Sequence, residues 1–243
     1  LSANEEPIKS PALWGTAEEF SSAFSSCLTR VFLRMFAALL VTALAALMLV
    51  SSYSLQRLIF SNSYVFYALL IAELGLVWTI SAAINKISAA AANGLFFLYA
   101  IINGLTLSVI FFVYDIGVIY NAFGISALMF GVMAVYGATT RKDLSSIGSL
   151  CIMGLIGIIL ASVLNIFLLH STMLDAAVCY IGVLIFIGLT AYDTQRIKKM
   201  LAEVTEADQG EAIKKISVIG ALAVYLDFIN LFLMILRIMG RRR

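Results

Sequence analysis

Ala223-Val-Tyr-Leu-Asp227-Phe-Ile-Asn-Leu-Phe-Leu233 lies in the middle of an apolar run from Ile216 to Met239 and carries a single carboxylate. Such a run can cross a bilayer as a helix, because a hydrocarbon core of ~30 Å needs ~20 residues. A carboxylate within that helix costs ~3 kcal/mol on insertion scales, so Asp227 is expected to face a partner, a cavity or an ion path. The apolar run before it repeats the pattern. Ile187-Gly-Leu-Thr-Ala-Tyr-Asp193-Thr-Gln-Arg-Ile197 places Asp193 towards one end of its segment.

The rest of the chain is equally apolar. Hydrophobic residues make up 62% and charged residues 12%, against about half and about a quarter in a soluble domain. This is the composition of an all-α membrane protein. Seven segments reach spanning length, roughly Val31–Val50, Val65–Ile84, Ser88–Val113, Ala122–Ala138, Ile147–Leu169, Ala176–Lys198 and Ile216–Met239. Residues 1–29 read as an N-terminal cytosolic tail, with Glu18 to Arg30 a partly amphipathic lead-in helix, and residues 30–243 as a seven-helix transmembrane domain. Glu5, Glu6, Glu18 and Glu19 contradict the basic start of a signal peptide. The connections are short except Lys199–Lys215, which carries Glu203, Glu206, Asp208 and Glu211. A net charge of +2, without basic clusters interleaved with aromatics, excludes a nucleic-acid partner. The bilayer is the expected partner.

Basic residues set the expected orientation. With the N-terminus in the cytosol, Lys9, Arg30, Lys86, Arg141, Lys142, Arg196, Lys198, Lys199, Lys214 and Lys215 fall inside. Arg57 and the C-terminal Arg237, Arg241, Arg242 and Arg243 fall outside. Either that tail is a tolerated exception, or the last segment is re-entrant; its length favours a full crossing. Small residues, among them Gly131 with Gly137 and Gly154 with Gly157, allow helices to approach closely.

Ionisable and polar groups inside the spans are the candidates for chemistry. Straight antiparallel helices offset Asp193 and Asp227 by roughly 7–8 Å, a gap that tilt and side-chain reach can narrow. If paired, they share a proton and titrate as a unit, hydrogen-bonded when singly protonated and repelling when both are ionised. The plainer alternative puts Asp193 at the water interface and bonds Asp227 to Asn230 or to a neighbouring helix. Glu73, near the middle of the second span, is a candidate pore-lining residue, and Asn230 stands with it. Asn103, Thr106 and Asn165 read as interhelical hydrogen-bonding groups. Arg34 is close enough to its helix start to snorkel. Lys86, at the end of the second span, can reach water or neutralise a carboxylate. Cys27, Cys151 and Cys179 are widely spaced and read as core residues. With His170 the lone histidine, no fixed metal site and no cofactor are expected.

No enzyme signature stands out. An intramembrane aspartyl protease needs Gly-x-Gly-Asp where this chain has Tyr225-Leu-Asp227. A rhomboid-type serine protease needs a Gly-x-Ser-Gly motif that is absent, and retinal chemistry needs a lysine that the last span lacks.

The runs Gly188-Leu-Thr-Ala-Tyr-Asp-Thr-Gln-Arg-Ile-Lys198 and Gly220-Ala-Leu-Ala-Val-Tyr-Leu-Asp-Phe-Ile-Asn-Leu-Phe232 resemble the signature of the transmembrane Bax inhibitor motif family, in its bacterial branch. Ala72-Glu-Leu-Gly-Leu-Val77, Tyr99-Ala-Ile-Ile-Asn-Gly-Leu-Thr-Leu-Ser108 and Tyr136-Gly-Ala-Thr-Thr-Arg-Lys-Asp-Leu144 match in order and spacing. The resemblance covers roughly Arg30 to Arg243. It implies a seven-helix bundle in which six helices wrap a central C-terminal helix. It also implies a pH-sensitive calcium leak in the cell inner membrane, with Asp193 and Asp227 as sensor and calcium passing near them. Lys86 is the residue available here for the family's basic latch on the second helix. Some bacterial relatives are instead substrates or modulators of a membrane-anchored AAA+ protease, a role that would use the N-terminal tail.

Overall fold

The computed structural model describes residues 16–204 and 209–241; Glu5, Glu6, Lys9, Glu206, Asp208, Arg242 and Arg243 lie outside them. Nine α-helices are described: α1 (Ala17–Ser51), α2 (Tyr53–Phe60), α3 (Ser63–Ala83), α4 (Ala89–Leu107), α5 (Ile110–Val113), α6 (Ile116–Thr139), α7 (Ser145–Leu164), α8 (Thr172–Ala202) and α9 (Gln209–Gly240). Seven stretches are long and apolar enough to cross a membrane, and the chain is an all-α integral membrane protein.

Local chemistry fixes the helix starts. Thr16 and Glu19 close a capping box on α1, which satisfies two backbone donors that the first turn leaves free. Ser52, Asn62, Ser88 and Ser171 each offer a side-chain oxygen to the first turn of α2, α3, α4 and α8. The α7–α8 reversal is built differently. A π-helical turn at Asn165–Leu169 ends on His170, which is left-handed (φ 48°). The Asn165 side chain donates to the Ser171 carbonyl and accepts from its N–H, at 3.0 and 2.8 Å. Asn165 therefore ties a turn instead of joining two helices, as its place in an apolar segment suggested.

Several boundaries differ from those expected. The lead-in helix and first span are one uninterrupted helix, because nothing between Glu18 and Ser51 breaks the pattern. The third span divides after Leu107, where buried Ser108 donates its hydroxyl to the Leu105 carbonyl at 2.6 Å. The fourth starts earlier than Ala122, at Ile116. Helix α2 occupies a stretch read as loop. The final helix is unbroken over 32 residues, roughly 48 Å at about 1.5 Å per residue. It is long enough to cross completely, and it contains no break at which a re-entrant segment could turn back.

Helix α9 is the axis of the bundle. It packs on α8, α6, α1 and α4, and 67% of its most apolar window is buried, against 6% for the windows in α3 and α7. Lipid is as apolar as leucine, so close packing and interhelical hydrogen bonds hold such helices together. Glycine provides the closest approaches. A Cβ on Gly104 would meet Ala45 at 2.8 Å, and one on Gly137 would strike the Ala191 backbone. Gly154 faces Ile185 of α8, whereas Gly131 and Gly157 have nothing within 4 Å. Only one member of each expected glycine pair is a packing position.

The two ends of the bundle are fastened by polar side chains. At the end of the α8–α9 connection, Gln195 accepts from Leu144 N–H (2.9 Å) and donates to the Lys142 carbonyl (2.7 Å), holding the α6–α7 turn. Lys199 pairs with Asp143 at 2.6 Å and holds its carboxyl down at about 2. At the opposite end Asp175 pairs with both Arg237 and Arg241. The arginine-rich end of α9 thus has an acidic partner on α8.

Candidate functional site

Asp227 is 4% exposed, and its Oδ2 is buried without a hydrogen-bond partner among the described residues. Buried polar oxygens are nearly always satisfied, so an orphan is a place to look for function. Asp193, half-buried on α8, lies within electrostatic reach of it, as does Cys151 of α7. The two carboxylates share a compartment, and no hydrogen bond joins them in this conformation. Asn230 does not reach Asp227. Its amide donates to the Leu226 carbonyl of its own helix at 2.8 Å.

The basic neighbour of the pair differs from the one expected. Lys86 is exposed in the turn between α3 and α4 and pairs with neither aspartate. Arg196 acts on Asp193 instead, from three residues further along α8 and therefore on the same face. Arg34, part-buried near the start of its span, also has partners on the neighbouring helices: its Nε donates to Asn93 at 3.2 Å and its Nη1 to Ser217 at 2.5 Å.

Glu73 belongs to a second polar compartment. It accepts from Thr106 Oγ1 at 2.5 Å and from Asn103 Nδ2 at 3.2 Å. Asn103 Oδ1 accepts from the Tyr225 hydroxyl at 2.9 Å, and that hydroxyl lies 2.7 Å from Thr42 Oγ1. The run Thr42–Tyr225–Asn103–Glu73 crosses α1, α9, α4 and α3, and its donors can all point towards the Glu73 carboxylate. A cavity of about 650 Å³ opens beside it, lined by Glu73, Tyr99, Asn103, Thr106 and Asn230 among apolar side chains. Tyr225 and Asp227 are two residues apart, hence about 200° apart around α9. The structure brings Asp193 within reach of Asp227, while Asn230, close to Asp227 around α9, lines the same cavity as Glu73.

Tyr225 and Thr42 were not singled out from the sequence. A tyrosine in an apolar helix reads as packing, and Tyr225 does stack edge-on with Phe96 and Tyr99. The available signal was that a buried phenol needs a hydrogen-bond partner.

Comparison with known proteins agrees with this architecture. Residues 25–243 match the family described as Inhibitor of apoptosis-promoting Bax1. The chain is 49% identical over 205 residues to the inner membrane protein YbhL of Escherichia coli, covering 84% of this chain and 87% of that one. It is 46% identical over 216 residues to an uncharacterised protein of Borreliella burgdorferi, covering 89% and 92%. A Rickettsia prowazekii protein, also uncharacterised, is 37% identical over 224 residues, covering 92% and 93%. With a match across nearly all of its transmembrane helices and relatives this similar along most of their length, the chain belongs to the Bax inhibitor family.

Proposed function

We propose that this protein is a cation leak of the inner membrane, with calcium as the ion and with gating coupled to protonation of Asp193 and Asp227. The observation that carries the reading is the Asp227 carboxylate: central in the buried helix, its Oδ2 unpartnered, with a second carboxylate in reach. Two ionised carboxylates in a poorly solvated interior repel, while a singly protonated pair attracts through a shared proton. Change in the pair's charge therefore acts between α8 and α9, the most extensive of the axial helix's contacts. Calcium enters as cargo, since hard oxygen ligands suit it and it meets these carboxylates in transit. Glu73 and Asn230 serve as wall residues of the cavity that they line. The protein is not an enzyme in this reading.

The inner-membrane location is supported by what YbhL is called. The basic residues gathered at the end of the α8–α9 connection support a cytosolic N-terminus. The test is calcium flux into liposomes holding the purified chain. Flux above that of empty liposomes, altered by Asp227→Asn, is the expected result. If wild-type protein gives no flux while residues 1–19 are needed for engagement of a membrane-anchored AAA+ protease, the protein is a protease modulator or substrate instead.

A further inference from the structure

The Arg34 guanidinium is inserted where α1 meets α4 and α9, and both of its hydrogen-bond partners, Asn93 and Ser217, are neutral. A guanidinium has five N–H donors and a permanent charge, and among the described residues no carboxylate pairs with it. The ionisable groups that act on it are Arg30, one turn back on the same helix, and the buried Cys27. Three of the described acidic groups at this end of the bundle are engaged elsewhere. Glu211 accepts from the Ala89 N–H at 2.6 Å, Asp143 holds Lys199, and Glu19 closes the cap of α1. Two like charges one turn apart on a helix repel. The site therefore has an excess of positive charge and unfilled donors.

The same helix shows what lies next to it. From Arg30 onward α1 exposes Leu33 (63%), Phe36, Leu40 and Leu44, an apolar stripe along one face. In a bilayer that stripe meets acyl chains. Arg30 is exposed at its foot, and Asn93 lies in the second turn of α4, just past the Ser88 cap. Leaflet phosphates gather near the ends of membrane-spanning helices, where long basic side chains can reach them. This end also holds most of the chain's basic residues, the arrangement that faces an anionic leaflet.

We propose that Arg30 and Arg34 bind the phosphate of an anionic phospholipid whose acyl chains run along Leu33, Phe36 and Leu40. The phosphate supplies the negative charge that Arg34 lacks and offsets its repulsion with Arg30. Arginine suits the task because its planar fork can give a phosphate two parallel hydrogen bonds. Asn93 and Ser217 hold the guanidinium in place and link the bound lipid to α4 and to α9, the helix that carries Asp227.

The experiment compares phosphatidylglycerol, phosphatidylcholine and inorganic phosphate with the full chain, by lipid adducts in native mass spectrometry and by melting temperature in detergent. Phosphatidylglycerol is expected to bind and to raise the melting temperature, and the other two are not. Arg30→Gln, at an exposed position that does not threaten folding, is expected to weaken phosphatidylglycerol binding about fivefold. Arg34→Gln is expected to remove the preference over phosphatidylcholine, Arg34→Lys to restore part of it, and Arg57→Gln at the opposite end to change nothing. Equal binding of the two lipids by wild type, or an unchanged preference in Arg30→Gln, would overturn the proposal. So would protection by inorganic phosphate equal to that by phosphatidylglycerol, since the anion would then come from solution.

Discussion

Tyr225 is fully buried and joins Thr42 to Asn103, so its hydroxyl ties α9 to α1 and α4. Interhelical hydrogen bonds in membranes average below 1 kcal/mol and reach ~1.7 kcal/mol. Tyr225→Phe keeps the ring and removes only the oxygen. It is expected to destabilise the fold by about 1 kcal/mol in reversible unfolding from bicelles. Because Tyr225 faces away from Asp227, the pH profile of calcium flux should not move. A shifted profile would show that the two polar compartments are coupled, contrary to the separation described here. At this scale the sequence was legible for the aspartates, because a carboxylate in an apolar run is costly wherever it points. It was not legible for Lys86 or Arg34. Which partners a long basic side chain finds depends on what the neighbouring helices offer, and Asn93 and Ser217 become neighbours of Arg34 only on folding.

Among the helices, the closest approaches decide which substitutions matter. Gly137 lies against the Ala191 backbone, which cannot move aside as a flexible side chain can. Gly137→Ala should force α6 and α8 apart and cost about 1–3 kcal/mol, the range for overpacking. Gly131→Ala, on the same helix with nothing within 4 Å, should be neutral or gain up to ~1 kcal/mol from helix propensity. Equal effects of the two in the same unfolding assay would contradict the packing described. From sequence these glycines look alike, since small residues are needed at contacts but also tolerated elsewhere. Hydropathy revealed the seven spans because each is longer than the hydrocarbon core requires. It concealed α2 and the break after Leu107, which depend on single serine caps and on amphipathic residues too few to give a period.

On the scale of the molecule, α9 carries two polar clusters, Asp227 with Asp193 of α8 in reach, and Tyr225, which links Thr42 to Asn103 and Glu73. One end of the bundle gathers the basic residues, and the other is closed by Asp175 with Arg237 and Arg241. The central helix was foretold both by the resemblance to the family and by Asp227 within a run apolar nearly all round, a carboxylate that should avoid lipid. The central claim is that Asp193 and Asp227 act as one titrating unit on a cation path. The most direct measurement is calcium flux into liposomes from about pH 5 to about pH 8 for wild type, Asp193→Asn, Asp227→Asn and the double variant. Both single variants should change the size and the pH dependence of flux, and the double variant should do little more than the larger single, because coupled residues do not contribute independently. Wild-type flux no greater than that of empty liposomes at every pH, or single effects that simply add, would contradict the account.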